Sequence, residues 1–356
     1  MPLRVCSTYV GAERALPGGN RSSRRLILLA LLLLLLVTPV LSMAFGAASV
    51  PASEVWAVVR SHLPGASAEV SGVTNAIIWQ NRLPRVLTGI GVGVILGVSG
   101  VTLQAVVRNP LAEPYVLGIS AGASTGAAFA MVVIGVTSSL AVAGYAFVAA
   151  ALATTVVLMA GGRGHHSALQ LILAGLAVGF IFQALTNLLI FSSDSPETSR
   201  AVVFWTLGSL SRATWLQVGG VLGTAALLTL GLWVAAPILD ALASGDQAAM
   251  AVGIDPVRAR LLLTLIVSAG VAFAVATAGN IGFVGLVVPH LVRSWVGHAH
   301  RGVLLGSAFA AATFLVWADT LARSIFAPAE LPIGVITGLI GAPLLLVMLR
   351  SLGVRR

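Results

Sequence analysis

The sequence contains no lysine, and all 20 of its basic side chains other than histidine are arginine. A Walker-type phosphate loop needs its lysine to reach the β- and γ-phosphates of ATP, so this chain cannot assemble such a site. Cysteine is almost missing too. Cys6 stands alone, which excludes an internal disulfide framework and a thiolate metal cluster. Charged residues make up 9% of the chain, against about 25% in a soluble domain. A soluble fold of 356 residues would have too little charge to coat its surface. The six histidines show no metal-ligand spacing, and His165-His166 and His298/His300 fall in turns. Histidines and carboxylates do not cluster inside the apolar runs, which argues against a membrane enzyme. An ion-coupled secondary transporter would need polar groups at the midplane, and only Asp319 and a few Gln, Asn and Ser residues qualify.

What is present is apolar sequence: 58% hydrophobic residues and a mean hydropathy of +1.02. Runs of about 20 apolar residues recur, the length a helix needs to cross a hydrocarbon core of about 30 Å. The chain reads as an all-α polytopic transmembrane bundle of about ten spans. Residues 1–25 form an Arg-rich tail, and residues 26–356 form a single membrane domain. The run 26–45 has the flanks of a signal peptide but nearly the length of a span, and the topology needs it as span 1. A short surface helix over 54–62 with Ser53 as its cap is expected. Spans follow at about 84–107, 116–135, 139–160, 168–191, 214–236, 261–297 (two spans with a Gly-rich break at 279–285), 302–325 and 332–350. By this scheme 14 of the 20 arginines lie on the side of the termini and six opposite, at positions 60, 82, 85, 200, 212 and 323. The positive-inside rule then puts both termini in the cytoplasm, and the net charge of +9 reports topology rather than nucleic-acid binding. Glycines at 89, 91, 93, 97 and 100, and at 118, 122 and 126, mark faces where helices approach closely.

Six motifs occur in order: Arg82-Leu-Pro-Arg85 through Gln104 to Asn109-Pro-Leu-Ala-Glu-Pro114; Leu117-Gly-Ile-Ser-Ala-Gly122; Leu173-Ala-Gly-Leu-Ala177; Gly279-Asn-Ile-Gly-Phe-Val-Gly-Leu-Val-Val-Pro-His290 before Arg293; Ala318-Asp-Thr-Leu-Ala-Arg323; and Glu330-Leu-Pro-Ile-Gly-Val335 before Gly341-Ala-Pro343. Over roughly residues 50–350 the chain resembles the FecCD family, the permeases of ABC importers for ferric siderophores, haem and cobalamin. The resemblance implies ten helices in a FecCD-type fold. It implies a permease in the bacterial inner membrane that makes and breaks no covalent bond. The implied partners are a second copy of the chain or a homologous permease, two ABC ATPase subunits that hold ATP and Mg, and a periplasmic or lipid-anchored substrate-binding protein. This chain itself holds no cofactor. The cargo suggested by 194–209 is a ferric siderophore, with haem and cobalamin as alternatives.

The resemblance also assigns roles to single positions. Ser244, Gly245, Asp246, Gln247, Met250 and Gly253 fall in the family's coupling helix, which sits against the ATPase; as bare sequence the stretch also reads as a solvated connector, with Ser244 or Asp246 as cap and Gly253 as stop. Family members more often carry an acidic pair and a basic residue where this chain has Asp246-Gln247 and Met250-Ala251. Asn109 and Leu111, with Ala168 and Leu169, match the cytoplasmic gate. Arg82, Arg85 and Arg323 match arginines that dock the binding protein; boundary arginines also snorkel to lipid headgroups. Asp319, the acid deep within a span, pairs structurally with Arg323 four residues on, or serves docking or gating.

The topology is checkable with single thiols. In a Cys6→Ser background, Ser195→Cys should react with an impermeant thiol reagent added outside intact cells, and Ser244→Cys should not. The reverse pattern would overturn the assignment.

Overall fold

In a computed structural model, residues 21–46, 50–63, 70–160 and 168–353 are described. Most of the expected N-terminal tail and the His165-His166 turn lie outside them. The described residues are helical throughout their regular structure, with no strand among them.

Helix α1 (Arg21–Ala44) is followed by the short α2 (Ala52–Ser61). Ser53 does not cap α2; the helix starts two residues earlier, at Ala52, and Pro51 is its N-cap. Next come α3 (Gly72–Asn75), a π-helical segment (Ala76–Arg82) and α4 (Leu83–Val107), which run on as one 36-residue rod. Pro84 explains the π segment. A proline inside a helix has no N–H and clashes with the carbonyl four residues back. Widening the preceding turns to the π register lets Leu83 N–H reach Ile78 C=O and removes the conflict. Arg108 ends α4 in the left-handed conformation. A 3₁₀ turn (Pro114–Leu117) then leads into α5 (Ile119–Val132), α6 (Ser139–Ala160) and α7 (Ala168–Phe191).

The short α8 (Pro196–Thr206) is not among the expected elements but has clear start signals: the Ser195 hydroxyl accepts from Thr198 N–H, Pro196 sits at the first turn, and Glu197 meets the positive end of the helix. Thr214 and Gln217 form a capping box for α9 (Trp215–Val234). Then come α10 (Ala236–Ala243), α11 (Asp246–Ala251), α12 (Pro256–Ala278), α13 (Val284–Val296), α14 (His300–Ala322) and α15 (Ile333–Gly353).

Seven of these segments are long and apolar enough to cross a membrane, and α5, α13 and most of α15 are shorter apolar helices. The seven and the three together lie where the ten spans were expected. The protein is a multi-pass membrane protein. Helix α9 separates α8 from α11, so α8 marks one rim and α11 the other.

Small residues set the packing. A Cβ on Gly93 would meet the Ala311–Ala312 backbone, and one on Gly97 the Ser307 carbonyl, so α4 and α14 lie nearly backbone to backbone. Gly122 and Gly126 let α5 do the same against Ala149, Ala150 and Tyr145 of α6. At Gly100 a Cβ would overlap the backbone of Gly285 at the start of α13. Hydrocarbon offers no hydrophobic drive between helices, so close van der Waals contact takes its place.

Gly100→Leu should therefore lower the melting temperature of the detergent-purified protein, at a cost of about 1–3 kcal/mol or more. Gly144→Leu is the control, since a Cβ there meets nothing within 4 Å. Equal melting of the two variants would refute the packing account.

Candidate functional site

At the α8 rim, α4, α14 and the end of α1 meet around an arginine cluster. Arg85 grips Asp319 with Nε (2.8 Å) and Nη2 (2.9 Å), and Glu330 with Nη1 (2.9 and 3.0 Å). Arg323 donates to the Ser42 carbonyl (2.6 Å) and hydroxyl (2.8 Å), and lies 3.8 Å from Asp319. Arg82 donates to the Met43 carbonyl at 2.5 Å. The three arginines are 6%, 3% and 4% exposed. Arg82, Arg85 and Arg323, expected at the docking surface for a binding protein, are thus buried and partnered within the chain itself. Charge at this depth is tolerated only when paired, and here the chain supplies the partners itself. Asp319 lies in the last turn of α14, and its main partner is Arg85 rather than Arg323. Glu330 is the half-exposed member, with 43% of its side-chain surface free.

At the α11 rim, Asp246 opens α11 and draws in two arginines from different elements. Arg108, at the end of α4, lies 3.0 Å away, and Arg260 of α12 donates through both terminal nitrogens. Neither Ser244 nor Asp246 caps the helix, contrary to expectation. The Ser244 hydroxyl instead donates to the Asp240 carbonyl, and Gly245 is the N-cap at φ +112°. Gly253 turns the chain out of α11 at φ +80°, as expected of a stop. Met250 and Val252 stand exposed on this short helix, and Gln247 is exposed beside them.

Next to the α11 rim, the turn after α4 is shaped by Asn109, whose side-chain oxygen accepts from Leu111 N–H at 2.9 Å. Asn109 and Leu111 line a cleft of about 140 Å³ with Leu171 and Ile172 of α7. Ala168 and Leu169 begin α7, and their side chains lie outside the described residues; Leu171 and Ile172 are the α7 residues seen facing the turn. The same loop reaches further. The Glu113 carboxylate accepts from Phe283 N–H at 2.6 Å, and the Tyr115 hydroxyl both donates to the Ile281 carbonyl and accepts from Ile281 N–H. Thus the motif holding Asn109 and Leu111 also pins the break between α12 and α13. Sequence reasoning quoted Glu113 within that motif but gave it no role. The spacing of an acid four residues after Asn109 does not reveal a partner 170 positions away.

A cavity of about 500 Å³ opens between α5, α7 and the break, lined by Ser120, Ser124, Phe180, Gln183, Thr206 and Asn280 among others. Its described lining carries no charged side chain. Among the described residues no group of three metal-ligating side chains occurs.

Three comparisons bear on this arrangement. The model of the FecCD transport family matches residues 33–351. The cobalamin import permease BtuC of Halobacterium salinarum is 39% identical over 292 residues, covering 80% of this chain and 76% of the relative. The hemin permease HmuU of Yersinia pestis is 39% identical over 274 residues, 75% of this chain and 81% of its own. The molybdate permease MolB of Haemophilus influenzae is 34% identical over 325 residues, 89% and 93%. A solved structure described as an inward-facing metal-chelate type ABC transporter superposes with a TM-score of 0.79 at 32% identity, covering 92% of this chain and 99% of that one.

The arginine cluster makes a stability prediction. Arg85→Met strands the Asp319 charge in the interior and should cost about 3–5 kcal/mol, read as a lower melting temperature. Arg85→Met with Asp319→Leu should recover much of that loss, and Glu330→Gln alone should change little. A double variant no better than the single one would mean that the pair is not the source of the penalty.

Proposed function

The chain belongs to the FecCD transport family, and on that footing we propose that it carries a ferric siderophore, or a related organic metal chelate, across the bacterial inner membrane. It is the permease of an ABC importer, and ATP hydrolysis belongs to separate ATPase subunits. The observation that carries the cargo class is the cavity between α5 and α7. A bare oxyanion needs charge or converging donors when it leaves water. The lining here offers hydroxyls, amides and apolar surface. A chelate brings its own ligand shell to the metal and asks of the wall only shape and a few hydrogen bonds. Haem and cobalamin share that property and remain alternatives.

The assembly follows from the surfaces. A second copy covers exposed apolar faces such as that of α7, where Leu173, Leu176, Phe180 and Leu188 stand bare. Two ATPase subunits with their ATP and Mg meet the α11 rim, which is cytoplasmic together with both termini; this chain holds no cofactor. Exposed Met250 and Val252 offer apolar contact there. Asp246 carries the motion to Arg108 and the turn of Asn109 and Leu111, which with Ala168 and Leu169 forms the gate. A binding protein delivers cargo at the α8 rim. Arg82, Arg85 and Arg323 support that corner from behind, and Glu330 is its exposed end.

Reconstitution in proteoliposomes with the ATPase and binding protein tests this. The chain alone should hydrolyse no ATP, and the complete system should take up an iron-55-labelled ferric siderophore only with ATP. Asp246→Asn should lower uptake per ATP hydrolysed about tenfold, a coupling loss of ordinary size. Uptake of cobalamin, hemin or molybdate without the ferric chelate would overturn the cargo. Unchanged coupling in Asp246→Asn would remove Asp246 from the path.

A further inference from the structure

A second cavity, of about 450 Å³, lies on the α8 rim between α8, the starts of α6 and α9, and the end of α12. It is separate from the cavity assigned to cargo and shares no lining residue with it. Its lining includes two exposed arginines, Arg200 and Arg212. Elsewhere Arg85, Arg108, Arg258, Arg260 and Arg323 have carboxylate partners, whereas Arg60 and Arg301 have none among the described residues. Arg200 and Arg212, which both line this cavity, have none among the described residues. The one contact of the Arg200 guanidinium among the described residues is the Phe204 ring, 5.5 Å away.

Gln217 adds donors. Its side-chain oxygen is taken by the Thr214 N–H and hydroxyl in the capping box, so its NH₂ group is left without a partner among the described residues. Ser209 and Ser211 hydroxyls bond each other at 2.9 Å along the wall. The acidic member is Glu197, which accepts from the Ser195 hydroxyl and is held below the usual carboxylate range by its own backbone N–H and that hydroxyl. The balance of the cavity is two cations and one anion, with more donors than acceptors. Phe204 and Trp205 supply flat apolar surface.

We propose that this cavity binds a small oxyanion, a carboxylate or phosphate, with Arg200 and Arg212 as its charge partners and Gln217 as a third donor. Guanidinium groups match such oxygens with paired N–H bonds, and charge-assisted bonds are the strong ones. Glu197 accepts from a hydroxyl on the same ligand, which favours a hydroxy acid or a glycerol phosphate over a simple anion. The volume is in the range of small-molecule sites. The oxyanion has two possible sources, a soluble hydroxy acid or the headgroup of an anionic phospholipid at the rim. The inference goes beyond transport and needs neither the ATPase nor a particular cargo.

The test uses the full chain in phosphatidylcholine nanodiscs, open on both faces, with citrate as probe by titration calorimetry. Arg200→Gln and Arg212→Gln should each weaken citrate binding about tenfold. Arg60→Gln, an exposed arginine outside the cavity, should not change it. A second arm uses nanodiscs containing phosphatidylglycerol and native mass spectrometry. A bound phosphatidylglycerol that is lost in both cavity variants, and that blocks citrate in the parent chain, identifies the headgroup as the occupant. Citrate binding that persists in these discs identifies a soluble ligand. The proposal is overturned if the parent chain retains neither citrate nor phosphatidylglycerol, or if the two variants bind them as the parent does. Failure here leaves ATP-driven uptake unaffected, and failure of uptake leaves the binding result unaffected.

Discussion

The structure hangs on the unwound segment from Gly279 to Phe283. Backbone at membrane depth that is not helical must find partners within the protein, because lipid offers none. Here each partner comes from a different part of the chain. The Tyr115 hydroxyl takes both the N–H and the C=O of Ile281, and Glu113 takes the N–H of Phe283. Ser209 N–H donates to the Ala278 carbonyl, and Gly334 lies so close to the Asn280 carbonyl and the Leu207 carbonyl that no side chain fits. Ile333 and Gly334 bond back to Gly208 and Leu207. One short break thus fixes the loop after α4, the end of α8 and the start of α15 at a single point. Phe283 itself sits at φ +68°, a costly place for an aromatic residue, and Gly341 on α15 leaves room for its ring. The cavity between α5 and α7 borders this point through Asn280 and Tyr115.

The absence of lysine has a structural counterpart. At both rims an arginine is asked to hold several oxygens in a fixed plane: Arg85 grips two carboxylates, and Arg260 meets Asp246 through two nitrogens. A lysine's point charge cannot make that fork. In both places the pairs join elements far apart in sequence, α4 with α14 at one rim and α4 with α11 and α12 at the other. Each end of the α4 rod is therefore tied by a guanidinium.

Much of this was legible in the sequence. Hydropathy and arginine placement gave ten apolar segments in the right order, and the break at 279–285 fell where α12 gives way to α13. The glycine faces of α4 and α5 are the ones that meet α14, α13 and α6. These features are local or periodic, so a linear reading finds them. The partners of charged residues are not local. Asp319 has Arg323 one turn away, yet its strongest partner is 234 positions distant. The same limit turned Arg82, Arg85 and Arg323 into expected surface charges: an arginine at a span boundary looks alike in sequence whether it reaches water or folds back onto Met43, Asp319 or Ser42. Leu171 and Ile172 are not singled out by the sequence, because in an all-apolar helix it does not say which residue turns toward Asn109 and Leu111.

Under the coupling reading, rigidity rather than flexibility explains how a six-residue helix could matter to a cavity far from it. Packed helices do not deform continuously, so a push on α11 has to move whole elements. Asp246 joins α11 to Arg108 at the very end of α4, and the residue after Arg108 begins the turn that closes over Leu171 and Ile172. Four residues further on, Glu113 holds the amide of Phe283 at the head of α13, and Tyr115 holds Ile281. The links to α11 and to the break are charged or hydrogen-bonded contacts and the one to α7 is apolar, while α4 is locked to α14 by glycine packing. The loop from Arg108 to Leu117 thus touches α11, α7 and the break together. Because the Arg108, Glu113 and Tyr115 side chains are already committed to α11 and the break, the loop can move only by taking one of them along, which is what a gate worked from the α11 rim would require.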